Sequence, residues 1–107
     1  MTTFDEREHA FEKKYEVDQE VQFKVLSRTH MMLGLWAAGL MGKTGAAAEA
    51  YAKEVVLSDF EKPGHEEVVA KVVADLTAAG KAIDVESVNK QRTRLMAEAK
   101  KHVMTEV

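Results

Sequence analysis

A sharp change in polarity near residue 25 constrains this chain more than any other feature of its sequence. The first 24 residues, MTTFDEREHAFEKKYEVDQEVQFK, are strongly charged, and the chain soon continues into LGLWAAGLMG, its most apolar stretch. Residues 1–20 contain seven acidic side chains against three basic ones. The sequence therefore predicts a solvated N-terminal segment attached to a domain with a buried core.

The N-terminal segment favours a helix but has too few apolar side chains to stabilise one by itself. Thr3 and Glu6 have the spacing of a capping box, and acidic residues in a first turn suit the helix dipole. Burying one large apolar side chain contributes roughly 1.5–3 kcal/mol, whereas ordering the backbone costs roughly 1–2 kcal/mol per residue. A segment of this kind is typical of one that completes its fold on a partner. Its sizeable apolar side chains are Phe4, Phe11, Tyr15 and Val17.

Length and composition limit the class of protein. A chain of 107 residues suits one domain with a modest core. The net charge of −3 argues against a nucleic-acid partner, and the lack of cysteine excludes disulfides and thiol chemistry. The longest apolar run, residues 31–42, is shorter than the roughly 20 residues that cross a bilayer. We therefore expect a cytoplasmic protein that binds no nucleic acid and does not insert directly into the membrane.

Apolar residues at helical spacing, interrupted by turn and capping residues, divide the chain into four predicted helices. The first helix is expected to run without interruption from the N-terminal segment to Met41. Short loops between the helices predict an all-α fold, an antiparallel four-helix bundle with a mobile, helix-prone N-terminal arm. The predicted division is an arm at residues 1–19 and a four-helix domain at residues 20–107. The interruptions lie at Gly42, Pro63-Gly64, Gly80 and Asp84.

Motifs with a chemical function are nearly absent. The stretch AAGLMGKT, residues 37–44, fits a relaxed phosphate-loop pattern, but a phosphate loop follows a strand and this position follows a predicted helix. A turn between two helices is therefore the favoured interpretation. The carboxylates of the arm have no apolar pocket to raise a pKa for acid–base catalysis. We predict no catalytic residues and no metal site, and we expect Trp36 to lie in the core. The histidines, which lack a second ligand at zinc spacing, are His9, His30, His65 and His102.

Several segments closely resemble the zeta subunit of alphaproteobacterial F-type ATP synthases, and the resemblance covers nearly the whole chain. It implies a small four-helix protein that inhibits ATP hydrolysis by the synthase and is not an enzyme. It also implies that the arm is the inhibitory part, mobile when free and helical when inserted between catalytic-head subunits and the rotor stalk, at the cytoplasmic face of the membrane. The most specific segments are FDERE (4–8), LGLWAA (33–38), AYAKEVV (50–56) and DFE (59–61).

We therefore predict that the arm binds the catalytic head and rotor stalk of an ATP synthase as a steric stop. No cofactor is expected to be required. One alternative is a nucleotide-sensing bundle that holds a phosphate of ATP or ADP at the turn near Lys43 or on the basic last helix. Another is a generic helical adaptor whose arm binds an unrelated partner. Side-chain type assigns the apolar anchors as Phe4, Phe11 and Tyr15, and the polar contacts as Asp5, Arg7, Glu8 and Glu12.

Overall fold

The computed structural model describes residues 3–61 and 64–106, with side chains from residue 5 onward. These ranges contain five helices and no strand, so the predicted all-α fold is confirmed. In chain order the helices are α1 (Thr3–Val17), α2 (Gln19–Leu40), α3 (Gly45–Glu61), α4 (His65–Ala78) and α5 (Val85–Glu106). None of the described helices is both long and apolar enough to cross a membrane.

The predicted continuous first helix is wrong, because Asp18 divides it into α1 and α2. The backbone at Asp18 is extended, with φ −102° and ψ 107°. Its carboxylate oxygen Oδ1 accepts hydrogen bonds from the backbone N–H groups of Glu20 at 3.0 Å and Val21 at 3.3 Å. An aspartate at this position satisfies the unpaired N–H groups of a first helical turn and so begins a new helix. The arm is thereby a separate helix that is joined to the domain through one non-helical residue.

Helix α2 is the centre of the fold and contacts each of the other four helices. Its second half contributes Leu33, Ala37 and Ala38 to a large apolar cluster shared with α3, α4 and α5, which we call the main core. Trp36 is half-buried and packs against this cluster. The remaining members of the main core are Tyr51, Val55, Val68, Val69, Val72, Leu76, Val88 and Leu95.

A glycine allows α2 and α3 to approach each other closely within the main core. A Cβ atom added at Gly34 would lie only 2.6 Å from the Cα atom of Ala52 on α3. Since real Cβ atoms do not approach backbone atoms so closely, no larger residue fits there without moving a helix. The α2–α3 contact is therefore set by the absence of one side chain.

A second and smaller apolar cluster, which we call the arm-side cluster, joins α1 to α2 and α5. The first half of α2 contributes to it, whereas the second half of the same helix contributes to the main core. Phe11 is its one buried member from α1. The buried members are Phe11, Val21, Val25, Ala99, Val103 and Met104.

His30 lies on α2 between the parts of the helix that contribute to the two clusters, and its side chain is only 2% exposed. The Arg92 Nε–H on α5 donates to His30 Nε2 at 3.3 Å, and Asp59 Oδ2 on α3 lies 4.0 Å from His30 Nδ1. Burial lowers the pKa of His30 to about 4, and the charge of Arg92 acts in the same direction while Asp59 opposes it. A neutral imidazole therefore connects three helices.

Candidate functional site

The inner side of α1 buries the residue that the sequence predicts as a central apolar anchor. Phe11 is 5% exposed and packs in the arm-side cluster against residues of α2 and α5. The cluster exists because a phenylalanine on α1 meets valines and alanine on two other helices. The predicted anchor is thus covered by the protein's own domain in this structure.

Lys100 of α5 contacts two predicted site residues of α1. Its Nζ atom lies 3.4 Å from Glu12 Oε2 and 4.4 Å from the centroid of the Tyr15 ring. The first contact is an ion pair, and the second has the geometry of a cation–π interaction. The Glu12 side chain is 45% exposed and that of Lys100 is 26% exposed. Water therefore screens the ion pair strongly, and its contribution to stability is small.

The surroundings of Tyr15 further favour the neutral form of its phenol. Burial raises the pKa of Tyr15 above its ordinary value; Glu12 acts in the same direction, and Arg92 opposes them. A neutral ring has the electron-rich face that attracts an ammonium group. Lys100 is thus held by a carboxylate and an aromatic face that lie three residues apart on α1.

The end of α1 is held by hydrogen bonds across the junction with α2. The Gln22 side-chain amide donates to the backbone carbonyl of Tyr15 at 2.7 Å and to that of Glu16 at 3.3 Å. The Asp18 N–H donates to the Lys14 carbonyl at 2.8 Å. These bonds satisfy carbonyl groups that the end of a helix leaves unpaired. The junction therefore has a defined geometry although it is one residue long.

The other predicted contact residues of the arm lie towards solvent. Asp5, Arg7 and Glu8 are exposed, and Val17 at the end of α1 is 81% exposed. Phe4 and the proposed capping interaction of Thr3 lie outside the described side chains. The structure thus places Phe11, Glu12 and Tyr15 against the domain and leaves Asp5, Arg7 and Glu8 exposed beside them.

An open groove of about 310 Å³ follows the boundary between α1 and α5. Apolar side chains form much of its wall, and Lys100 lies along it. The groove shows that α1 covers its part of the domain incompletely. Its lining includes Glu8, Phe11, Met96, Ala97, Lys101 and Met104.

Two residues of this region were not predicted as functional. Lys100 has no local signal, because its partner Glu12 is 88 positions away in the sequence. Asp18 does have one, since an aspartate followed by Gln19 and Glu20 is a recognisable helix start. The apolar spacing continues across Asp18 and favoured one continuous helix over a new helix start.

The alternative phosphate site near Lys43 is a turn, as the favoured interpretation predicted. Helix α2 ends at Leu40, Gly42 has φ +79°, and the Lys43 N–H donates to the Ala38 carbonyl at 2.9 Å. This is a common C-terminal helix motif in which glycine adopts the left-handed conformation. A helix rather than a strand precedes the turn, so the mechanism of a phosphate loop does not apply.

A shallow groove beside that turn contains two lysines but also two carboxylates, those of Glu54 and Asp75. Asp75 Oδ2 accepts hydrogen bonds from the Tyr51 hydroxyl at 2.9 Å and from Lys71 Nζ at 3.0 Å. Lys43 lines the same groove. The charge of Asp75 disfavours a phosphate group next to these donors. Within the described part of the chain, no group of three His, Asp or Glu side chains could hold a metal ion.

Comparison with known proteins identifies the family. The family model described as ATPase inhibitor subunit zeta matches residues 1–102, a range that includes the arm. A protein structure determined by solution NMR is 43% identical to this chain, with a TM-score of 0.69, and the match covers 80% of this chain and 98% of that one. No curated protein sequence matches the chain. The chain therefore belongs to the ATPase inhibitor subunit zeta family, and it is a regulatory protein rather than an enzyme.

Proposed function

We propose that this protein inhibits ATP hydrolysis by an F-type ATP synthase, and that its arm inserts between catalytic-head subunits and the rotor stalk at the cytoplasmic face of the membrane. Family membership supports an inhibitory role on the ATPase. One structural observation supports the arm as the acting part: α1 is a separate helix, divided from α2 by the single non-helical residue Asp18.

A preformed helix reduces the cost of insertion. Three buried aromatic anchors contribute about 5–9 kcal/mol, which is less than the cost of ordering some fifteen residues at roughly 1 kcal/mol each. Residues 3–17 are already helical in the free protein. Part of the ordering cost is therefore met before the partner is reached, although burial of Phe11 on the partner must also replace its burial in the arm-side cluster.

The dimensions and charges of α1 suit a steric stop. Its 15 residues give a rod of about 22 Å at roughly 1.5 Å per residue. Asp5, Arg7 and Glu8 lie at the surface, where the polar parts of a cleft can reach them. Phe11 and Tyr15 would fill its apolar parts once α1 has left α5. A rod of this length between a rotor and its housing blocks rotation without any chemistry.

The proposal is tested by adding the protein to purified cognate ATP synthase and measuring ATP hydrolysis. A sharp variant is Lys13→Pro, since an interior proline costs about 3 kcal/mol or more in a helix. Lys13 is exposed, lies near the middle of α1 and is outside the predicted contact set. Lys13→Ala is the matched control, because it removes the same charge and keeps helix propensity.

We expect Lys13→Pro to inhibit at least tenfold more weakly than wild type, where about 1.4 kcal/mol corresponds to each factor of ten, and Lys13→Ala to inhibit normally. Equal inhibition by both variants would show that the arm does not act as a helix. Absence of inhibition by the wild-type protein would refute the proposed function. Deleting residues 1–19 is a less selective test, because it also uncovers Val21, Val25, Val103 and Met104.

A further inference from the structure

The α1 side chains best suited to hold a partner are already engaged within the protein. Phe11 is buried in the arm-side cluster, while Glu12 and Tyr15 both contact Lys100. A side chain covered by α5 cannot contact another protein at the same time. The docked arrangement of α1 and the inserted arrangement therefore exclude each other.

The docked contact is also weak enough to be reversible. It contains one buried aromatic side chain from α1, one half-exposed ion pair and one cation–π contact. An open groove of about 310 Å³ remains beside it. Partly exposed ion pairs contribute little, and incomplete packing loses dispersion contacts. Small changes in these groups should therefore shift the population of docked α1.

We infer that the contact between α1 and α5 is an autoinhibitory latch, in which Lys100 of α5 holds the arm in a non-inhibitory position. This inference rests on the proposed function, because it needs the arm to be the inhibitory part. When only a fraction of molecules is competent to bind, the apparent dissociation constant rises by the inverse of that fraction. The latch thus sets how much inhibitor is needed for half-inhibition. High salt should weaken the ion pair between Lys100 and Glu12.

Lys100→Met tests the latch, because methionine keeps an apolar chain over the Tyr15 ring but removes the charge. The matched control is Lys90→Met, a lysine on the same helix that pairs with Glu86 at 3.5 Å and is 77% exposed. Two quantities are measured: hydrogen exchange of the α1 amides in the free protein, and the concentration that gives half-inhibition of the purified cognate synthase.

We expect Lys100→Met to speed the exchange of α1 amides by about threefold to tenfold and to lower the half-inhibitory concentration by a similar factor, equivalent to about 0.7–1.4 kcal/mol. Lys90→Met should change neither quantity. Exchange in α2–α5 reports whether each variant is folded. Unchanged α1 exchange in a folded Lys100→Met protein would overturn the latch.

A cross-link tests the same inference in the opposite direction. The chain contains no cysteine, so Lys14→Cys with Lys101→Cys provides one pair of thiols that a cleavable bismaleimide can join. Both lysines are exposed, line grooves beside Phe11 and Met104, and lie outside the predicted contact set. The joined protein should not inhibit, and cleaving the linker should restore inhibition. Full inhibition by the joined protein would refute the latch. If neither wild type nor any variant inhibits, the proposed function fails, while the exchange data still decide whether Lys100 holds α1.

Discussion

The two apolar clusters along α2 differ in how many helices hold them together. Four helices, α2 to α5, contribute to the main core, and each packs against at least two others. The arm-side cluster depends on one buried side chain of α1, Phe11, set against residues of α2 and α5. A helix that contributes one buried side chain and one half-buried ring, Phe11 and Tyr15, separates at a lower free energy than helices that share a larger core. The comparison predicts that α1 separates from the domain before α2–α5 unfold.

Acidification should give the largest change in stability, because it protonates His30. This residue lies on α2 between the residues that join the arm-side cluster and those that join the main core. The folded pKa of about 4 lies below the ordinary value of 6.5, so the unfolded chain binds more protons between these two values. The contribution of His30 to the free energy of unfolding is complete above about pH 6.5 and is lost as the pH falls to about 4. The loss amounts to about 3 kcal/mol at 1.36 kcal/mol per pKa unit.

This prediction is checked by urea unfolding at about pH 7 and at about pH 4, in wild type and in His30→Gln. Glutamine can still accept the hydrogen bond from Arg92 but does not titrate. Arg92, Asp59 and His65 are the charged or titratable groups that act on His30. The variant should lose about 3 kcal/mol less than wild type over this range. The same pH dependence in both proteins would show that His30 does not control the acid response.

Gly34→Ala should give the next largest effect, confined to the main core. The new Cβ atom would lie 2.6 Å from the Ala52 Cα atom, so α2 and α3 must separate, at a cost of about 2–3 kcal/mol in the free energy of unfolding. Gly39→Ala is the matched control in the same helix, since nothing lies within 4 Å of its added Cβ atom. It should stabilise the protein by about 0.5–1 kcal/mol. If chemical denaturation gives the two variants equal changes in the free energy of unfolding, the α2–α3 contact can accommodate an added Cβ atom.

Phe11→Ala should give the smallest change in global stability, although it removes a buried aromatic side chain. A phenylalanine in a fully cooperative core costs about 3–5 kcal/mol when truncated to alanine. If α1 separates before the domain unfolds, the loss for α2–α5 should stay below about 1 kcal/mol. Native-state hydrogen exchange should show faster exchange in α1 and little change elsewhere. A loss of about 3–5 kcal/mol measured in every helix would show that α1 unfolds together with α2–α5.

Where the helices begin and end was largely predictable, because local chemistry sets those positions. Gly42 and Gly80 adopt positive φ at helix ends, and Asp84 Oδ1 accepts a hydrogen bond from the Ser87 N–H at 2.8 Å at the start of α5. Each of these needs only neighbouring residues. The break at Asp18 was missed because apolar spacing continues across it, and a capping carboxylate outweighed that spacing.

The position of the candidate site on the arm was predictable, but the contacts between its residues were less so. The arm and its aromatic side chains follow from residue types, but the pairing of Glu12 and Tyr15 with Lys100 does not. That pairing joins the two ends of the chain, and many exposed lysines would have been equally good partners on charge alone. Only the packing of α5 beside α1 selects one of them.

By itself, the sequence determined an all-helical protein with a charged arm, an apolar domain and the family to which it belongs, because periodicity, turn residues and motifs are properties of short segments. The tertiary structure decided that Asp18 separates the arm as a helix of its own, that Phe11 lies inside, and that Lys100 contacts Glu12 and Tyr15. The physical reason is that burial and ion pairing depend on which distant helices become neighbours, and the residues of one segment do not contain that information.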